Sequence, residues 1–304
     1  MNTIRPQSMI VTLYGDYIRH AGGSIWIGSL IRLLSYFGLS QQAVRSTVSR
    51  MTRRDLLRID RVGPRSYYSL TEKSAKWIEE GATRIFHFHA PRKPWDRQWR
   101  LVTYSVPESE REARDRLRQE LSWMGFGMLT SALWISPHDY GAEVERLAES
   151  LRVRSRVEIF TARHDGFADQ ATIVRRCWNL SQIDARYLAF IEKYRPAYQE
   201  HCRRLADGGD VEPNQYFVRR FNLIHEYRRF PYIDPELPAE LLPSNWRGNE
   251  AANLFREYHD LLAEKANAFF YSVFEPRAEL AAPHLQASYH IKRTPSNLIS
   301  VTEE

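Results

Sequence analysis

The stretch SQQAVRSTVSRMTRRDLLRIDRVGPR, residues 40–65, decides the fold of this chain. Its first residue, Ser40, is a suitable N-cap, because its hydroxyl can accept a hydrogen bond from a free backbone N–H of the first helical turn. Val44, Val48 and Met51 then recur at the i, i+4, i+7 spacing of a buried helical stripe. The opposite face carries long donors and small hydroxyls, namely Gln42, Arg45, Ser46, Ser49, Arg50 and Arg53. The major groove of duplex DNA admits such a helix and presents acceptors on its base edges. We therefore predict a DNA-recognition helix.

A basic hairpin is predicted directly after this helix. Two short runs with β-strand composition, residues 58–62 and 65–70, flank a Gly-Pro turn. A helix followed by a basic hairpin is the winged-helix arrangement. We expect Arg61, Arg65 and Tyr67 on this wing to follow the DNA backbone or a minor groove. The alternative is a solvated basic helix on an ordinary domain.

Positive charge is concentrated around the same stretch. The 304-residue chain has a formal net charge of +6, and residues 41–65 alone hold seven arginines against two aspartates. Such a concentration is expected of a surface that contacts DNA phosphates. A polybasic membrane surface is the competing interpretation, but it would need an apolar or lipid anchor, and we find none. The lack of a signal peptide and the two cysteines favour a cytoplasmic protein with no membrane partner.

The segments around the hairpin complete a winged helix-turn-helix domain over residues 1–82. Its further predicted elements are a helix over 6–20, a strand over 24–27, a helix over 28–37 and a short helix over 71–80. Residues 83–98 are predicted to be a linker because of their prolines and mixed composition. His87 and His89 form a His-x-His pair there, but no third ligand follows at a recognisable spacing. We predict no metal site.

The remainder of the chain divides into two further domains. Residues 99–177 predict the order strand 99–106, helix 109–124, one strand or a bent pair over 128–136, helix 140–151 and strand 157–162. This order is typical of a ferredoxin-like α+β sandwich, a type of sheet that often pairs in dimers. Residues 178–282 predict a mostly helical C-terminal domain with helices over 183–197, 216–230 and 250–271. Residues 283–304 are predicted to be a poorly ordered tail.

Two separate motifs carry a resemblance to a known family. The first is GSLIRLL at residues 28–34 with GLSQQAVRSTVSRM at 38–51; the second is IHEYRRF at 224–230 with DPELPAELLP at 234–243 and Trp246. Together they resemble the PaaX family, the transcriptional repressors of phenylacetate degradation, over nearly the whole chain. The resemblance implies a winged-helix domain, a middle domain similar to the Cas2 fold and a helical C-terminal domain. It also implies a homodimer that binds an inverted-repeat operator in double-stranded DNA, has no cofactor, and is released by phenylacetyl-coenzyme A or a related acyl-coenzyme A thioester.

An acyl-coenzyme A effector needs cations for its phosphates and apolar surface for its acyl group. The residues that meet this description in the second motif are His225, Tyr227, Arg228 and Arg229. We take them as candidate effector-binding residues. The competing interpretation is a structural network, in which both arginines pair with nearby carboxylates, Glu226, Asp234 or Glu236.

The resemblance of the middle domain to Cas2 raises one alternative from another class, a metal-dependent nuclease. Cas2 nucleases usually place an aspartate at the end of the first strand as a magnesium ligand, whereas this strand ends with Tyr104, Ser105 and Val106. A neutral serine hydroxyl cannot replace a carboxylate on a hard cation. His225 and Glu226 likewise lack a partner at a catalytic spacing. The sequence therefore predicts no enzyme, and an interaction scaffold is the alternative if the DNA-binding face proves inert.

Overall fold

The computed structural model describes residues 5–88 and 94–277. Helices are combined with two antiparallel sheets, which confirms the predicted α+β class. Within the described ranges, none of the helices has the length and apolar character needed to span a bilayer. The predicted tail over 283–304 and His89 of the His-x-His pair lie outside the described residues.

The N-terminal unit has the predicted winged-helix arrangement. Its elements are α1 (Pro6–Asp16), β1 (Ser24–Trp26), α2 (Ile27–Ser35), α3 (Gln41–Arg53), β2 (Leu57–Val62), β3 (Arg65–Leu70) and α4 (Glu72–His87). The strands form one sheet in the order β1-β3-β2. Strands β2 and β3 pair from Leu57 opposite Leu70 to Val62 opposite Arg65. Gly63 closes the wing with a φ of +57°, a left-handed conformation that glycine adopts without steric cost.

Helix α4 is longer than the sequence predicted. It continues to His87 instead of ending near residue 80, so it passes through residue 83, where the linker was expected to begin. Ile78, Ala82 and Phe86 continue one apolar stripe along it, and Ile78 and Ala82 are buried. The ring centroid of Phe86 lies 5.6 Å from that of His259 in the C-terminal helices. Tertiary packing therefore extends a helix whose local composition indicated a linker.

The middle unit has the ferredoxin-like order of elements. These are β4 (Trp99–Tyr104), α5 (Arg111–Trp123), β5 (Gly127–Thr130), β6 (Leu133–Ser136), α6 (Gly141–Ser150) and β7 (Val157–Ala162). The sheet is antiparallel in the order β5-β6-β4-β7. Leu117 of α5 and Val144 of α6 are buried with Val102 and Trp134 of the sheet. Of the two alternatives for residues 128–136, the structure has the pair of strands.

The C-terminal unit is helical, as predicted. Its predicted helices are α8 (Leu180–Ala206), α9 (Pro213–Tyr227) and α10 (Gly248–Val273). A further helix that the sequence did not predict, α7 (Gln170–Cys177), lies in the range assigned to the middle domain, but its Ile173 and Val174 are buried in the core of the C-terminal helices. Helix α8 extends past both predicted ends. The Asn179 side chain caps its start by accepting a hydrogen bond from the Gln182 N–H at 3.1 Å. Its buried face continues beyond Pro196 to His201, so the proline does not end the helix.

The N-terminal and C-terminal units share one hydrophobic core. Phe221 of α9 and Phe270 of α10 are buried among side chains of the winged-helix unit. The ring centroids of Phe221 and Phe37 lie 4.3 Å apart, and those of Phe270 and Tyr17 lie 5.0 Å apart. The C-terminal helices thus complete the core that supports the recognition helix.

Candidate nucleic-acid interface

Helix α3 has one face that is fixed in the core and one that is exposed. The Ser40 hydroxyl accepts a hydrogen bond from the Ala43 N–H at 3.2 Å, as the sequence predicted for an N-cap. Val44, Val48 and Met51 are buried against the remainder of the winged-helix unit. Because the cap and this stripe fix the start and the rotation of the helix, its opposite face must point to solvent.

The residues predicted to contact DNA from the helix all lie on this exposed face, namely Gln42, Arg45, Ser46, Ser49, Arg50 and Arg53. The Arg50 guanidinium donates a hydrogen bond to the Thr47 hydroxyl at 3.2 Å. Within residues 5–88 and 94–277, no ion pair engages Arg45 or Arg53. Exposed cations without an internal counter-ion are suited to bind phosphates or base edges.

The two wing arginines are both exposed, but their surroundings differ. Arg61 lies on β2 without an ion pair to any residue of the described ranges. Arg65 lies on β3 and donates a hydrogen bond to the Glu275 carboxylate at 2.7 Å, while its guanidinium carbon lies 4.6 Å from the centre of the Trp26 ring. A side-chain hydrogen bond with Tyr67, and then the charge of Glu275, hold the pKa of Arg65 above its ordinary value.

The structure corrects the prediction for Tyr67. This side chain is only 4% exposed, so it offers little surface to DNA. Its strand is paired on both sides, with Tyr67 opposite Trp26 and opposite Asp60, and it shares one face of the sheet with Arg65. Residues 274–277, which follow α10 and which we call the strap, cross this face through contacts with Asp60 and Arg65. A hairpin sequence does not reveal which of its faces a distant segment will cover.

Among the candidate effector-binding residues, Tyr227 is a core residue. Its side chain is 1% exposed, and its ring is stacked on that of Phe255 with centroids 3.9 Å apart and planes inclined by 4°. Arg229 is exposed at the end of α9. These two side chains therefore do not belong to one ligand-binding surface, although the sequence grouped them.

Arg228 connects the C-terminal unit to the first helix. Its guanidinium donates hydrogen bonds to the Ser8 hydroxyl at 2.6 Å and to the Ser8 carbonyl at 3.2 Å. Two of the three carboxylates that the competing interpretation offered as its partners have other donors. Glu226 accepts hydrogen bonds from Lys193 and Tyr194, and Asp234 accepts one from the Tyr187 hydroxyl at 2.6 Å. In this structure Arg228 therefore joins two helices through Ser8, a partner that local sequence could not indicate.

His225 lies at the same junction between α9 and α1. Its Nδ1 is 2.7 Å from the Thr12 hydroxyl, and its ring is stacked on Phe221 with centroids 5.6 Å apart. Burial, reinforced by the positive charges of Arg228 and Arg229, lowers the pKa of His225 to about 4. The imidazole is therefore neutral at physiological pH.

Because the pKa of His225 is lowered by folding, the protein should be less stable in mild acid. A histidine with a pKa of about 4 when folded and about 6.5 when unfolded binds more protons in the unfolded state over that interval. The free energy of unfolding should therefore fall as the pH is lowered from about 6.5 towards 4. Urea titrations at several pH values should show a shallower fall for His225→Gln than for the parent protein. Equal slopes for the two proteins would contradict the assignment.

A buried ion pair, which the sequence analysis missed, joins the same two units. The Arg220 guanidinium on α9 donates hydrogen bonds to Asp16 at 3.2 Å and to Asn267 at 2.9 Å, and it lies 4.9 Å from the centre of the Tyr17 ring. Burial alone would raise the pKa of Asp16, but Arg220 and His259 together hold it below the ordinary value. Asp16 and Arg220 are 204 positions apart, so no local pattern could have paired them.

Within residues 5–88 and 94–277, nothing pairs with the outer edge of the middle sheet, and its first strand has no carboxylate at the position that a nuclease would need. The first strand ends at Tyr104, whose hydroxyl donates to the Ser131 carbonyl at 3.4 Å. Within the described ranges, no three potential ligands among histidine, cysteine, aspartate and glutamate come together as a metal site. Strand β7 lies at the sheet edge, where Ile159 is 40% and Phe160 51% exposed.

Comparison with known proteins finds three consecutive family matches and a curated relative. The matching descriptions are "PaaX-like protein" over residues 5–74, "PaaX protein central Cas2-like domain" over 92–174 and "PaaX-like protein C-terminal domain" over 178–272. The Transcriptional repressor PaaX of Escherichia coli (strain K12) is 34% identical over 280 residues, covering 91% of this chain and 86% of the relative. The solved structure of the uncharacterized protein Rv0674 from Mycobacterium tuberculosis matches with a TM-score of 0.56 at 20% identity, over 87% of this chain and 99% of that chain. At this level of identity, the similarity to Rv0674 indicates a shared fold and nothing about function.

Proposed function

The chain belongs to the PaaX-like family, and we propose on that basis that it is a DNA-binding transcriptional repressor of a phenylacetate catabolic operon. The observation that carries the proposal is the exposed face of α3, where Arg45 and Arg53 project without an internal counter-ion in the described ranges. The curated relative is itself a transcriptional repressor. A regulator of this kind needs no catalytic site, in line with the prediction that the chain is not an enzyme.

The proposed complex places α3 in the major groove. In this complex Arg45 and Arg50 would read guanine and Gln42 would read adenine, because these side chains form bidentate hydrogen bonds with those bases. Ser46, Ser49 and Arg53 would contact phosphates, which position a protein without specifying a sequence. Arg61 would add a phosphate contact from the wing.

We further propose that the operator-binding form is a homodimer joined through the middle unit. The support is the outer edge of β7, which pairs with no strand of the described residues and where Ile159 and Phe160 are exposed. An unprotected apolar edge strand is a ready surface for pairing with a second strand. A two-fold dimer would present two copies of α3 to the two halves of an inverted repeat.

The proposed effector is phenylacetyl-coenzyme A or a related acyl-coenzyme A thioester. It would act by binding preferentially to a dimer geometry that cannot span both half-sites. Arg229 is exposed and could take a phosphate of the coenzyme. His225 and Arg228 hold Thr12 and Ser8 of α1, so a ligand that recruited them would release α1 from α9 and alter the support of the recognition helix.

The decisive experiment measures binding of the purified protein to its own upstream intergenic DNA at physiological salt, with nonspecific competitor DNA present throughout. Tight binding that phenylacetyl-coenzyme A abolishes would support both the repressor and its effector. Tight binding that the thioester leaves unchanged would support the repressor and reject that effector. If the protein showed no preference for this DNA, the repressor proposal would fail, and a magnesium-dependent nuclease assay would test the Cas2-like alternative.

Substitution of Arg45 tests the recognition helix. Arg45→Ala should weaken specific binding by about 1–3 kcal/mol, because one bidentate base contact is lost. A matched control is Arg186→Ala, which removes an exposed arginine from α8. Fluorescence anisotropy with operator and scrambled duplexes separates the two roles. Loss confined to the operator indicates a base contact, and equal loss on both duplexes indicates a phosphate contact. Unchanged operator binding by both Arg45→Ala and Arg50→Ala would reject α3 as the recognition helix.

A further inference from the structure

The strap carries a carboxylate that bridges two arginines of the winged-helix unit. One oxygen of Glu275 accepts a hydrogen bond from Arg32 of α2 at 2.6 Å, and the other accepts one from Arg65 of the wing at 2.7 Å. Both guanidinium groups lie over the Trp26 ring, at 5.9 Å for Arg32 and 4.6 Å for Arg65. Two cations and one aromatic ring thus form a single anion-binding site with Glu275 in it.

The site is anchored but open to solvent. The Ser29 hydroxyl donates to the Val273 carbonyl at 2.9 Å and accepts from the Glu275 N–H at 3.1 Å, and Arg277 lies 3.5 Å from the Asp60 carboxylate on β2. These contacts hold the strap across the sheet. The charged groups themselves remain accessible, with side-chain exposures of 53% for Arg32, 46% for Arg65 and 35% for Glu275.

A phosphodiester could replace this carboxylate. Like a carboxylate, it shares one negative charge between two outer oxygens, and arginine binds both groups with charge-assisted hydrogen bonds of the same geometry. Arg65 adjoins the Gly63-Pro64 turn at the tip of the wing, the part of the hairpin that projects furthest. Arg32 was not among the residues predicted from sequence to contact DNA.

We propose that Arg32 and Arg65 form a phosphate-binding subsite, and that Glu275 occupies it in the DNA-free protein as a built-in competitor. The inference extends the proposed DNA-binding function and rests on it. In physical terms, the Glu275 carboxylate and one DNA phosphate compete for the same two cations, Arg32 and Arg65. Because α10 leads directly into the strap, movement of the C-terminal unit would change the strength of the competitor.

The test is the affinity of Glu275→Gln for duplex DNA, which keeps the size of the side chain and removes its charge. Because a phosphate subsite does not read sequence, a scrambled duplex at about 50 mM salt serves as the probe beside the upstream DNA. We expect the substitution to tighten binding to both duplexes about three- to tenfold, since two exposed ion pairs no longer compete. Glu264→Gln, which removes one exposed negative charge from α10, should change affinity far less. Thermal melting of each variant shows whether its fold is retained.

A second pair of variants assigns the effect to the subsite. In an Arg32→Ala, Arg65→Ala background, Glu275→Gln should no longer tighten binding, because the cations for which Glu275 competes are gone. Unchanged or weaker binding of the scrambled duplex by Glu275→Gln alone would overturn the proposal, and weaker binding would show that the strap positions the wing. The proposed repressor function is judged separately, by the preference of the parent protein for upstream over scrambled DNA.

Discussion

Replacing Arg220 with methionine should lower the free energy of unfolding by about 3–5 kcal/mol, because the Asp16 carboxylate would remain buried without its cation. Arg220 is almost completely buried and makes hydrogen bonds to Asp16 and Asn267 across the junction of α9 with α1 and α10. Methionine keeps much of the side-chain volume, so the expected loss comes from the uncompensated charge and not from a cavity. Urea unfolding followed by tryptophan fluorescence would measure it.

Two control variants test whether the loss of stability comes from the unpaired buried charge. Arg203→Met removes an arginine whose ion pair with Glu200 is exposed, and it should cost less than about 1 kcal/mol. Asp16→Asn in the Arg220→Met background should recover part of the loss, since no buried charge then remains. A loss no greater than that of Arg203→Met would show that the buried pair does not contribute to stability.

The stabilisation that the Asp16–Arg220 pair provides should decrease as the pH falls. Arg220 and His259 hold the pKa of Asp16 below its ordinary value, so the unfolded state binds the proton more readily. The contribution of Asp16 to stability is therefore complete above its unfolded pKa of about 3.9 and is lost as the pH falls through the lower folded pKa. The difference between the parent protein and Arg220→Met should accordingly shrink in acid.

Substitution of Tyr227 by alanine should also lower the free energy of unfolding by about 3–5 kcal/mol, the cost of removing a large aromatic side chain from a packed core. The Tyr227 ring is stacked on Phe255, and it lies 5.6 Å from the rings of Phe190 and Phe230. Loss of the ring would leave a cavity at the centre of the C-terminal unit. Chemical unfolding of the variant would measure the loss.

Tyr227→Phe is the matched control, because it retains the stacked ring, and it should cost less than about 1.5 kcal/mol. The effector hypothesis for Tyr227 makes the opposite prediction. If this side chain contacted the acyl group of an effector, Tyr227→Ala would alter release from DNA while leaving the free energy of unfolding near that of the parent protein. That result would return Tyr227 to the candidate effector residues.

The elements that sequence predicted well depend on contacts within a few residues. The Ser40 cap, the stripe of Val44, Val48 and Met51, and the Gly-Pro turn of the wing are all encoded by neighbours along the chain. The order of strands and helices in the middle unit was equally readable, because each element carries its own periodicity. The exposed face of α3 follows from the same logic: once one side of a helix is apolar, the other must face solvent.

Other features were decided only when distant parts of the chain met. Tyr67 is buried on the face of the wing where the strap, some 200 residues later, contacts Arg65 and Asp60. Helix α4 extends because Phe86 finds aromatic partners in α10, and Arg228 pairs with Ser8 although carboxylates lie nearer in sequence. By itself the sequence determined the winged helix, the ferredoxin-like unit and the basic face of α3. Only the tertiary structure decided which polar side chains are buried and which cation pairs with which anion. Burial and ion pairing depend on contacts between residues far apart in the chain, and such contacts produce no periodic pattern in the sequence.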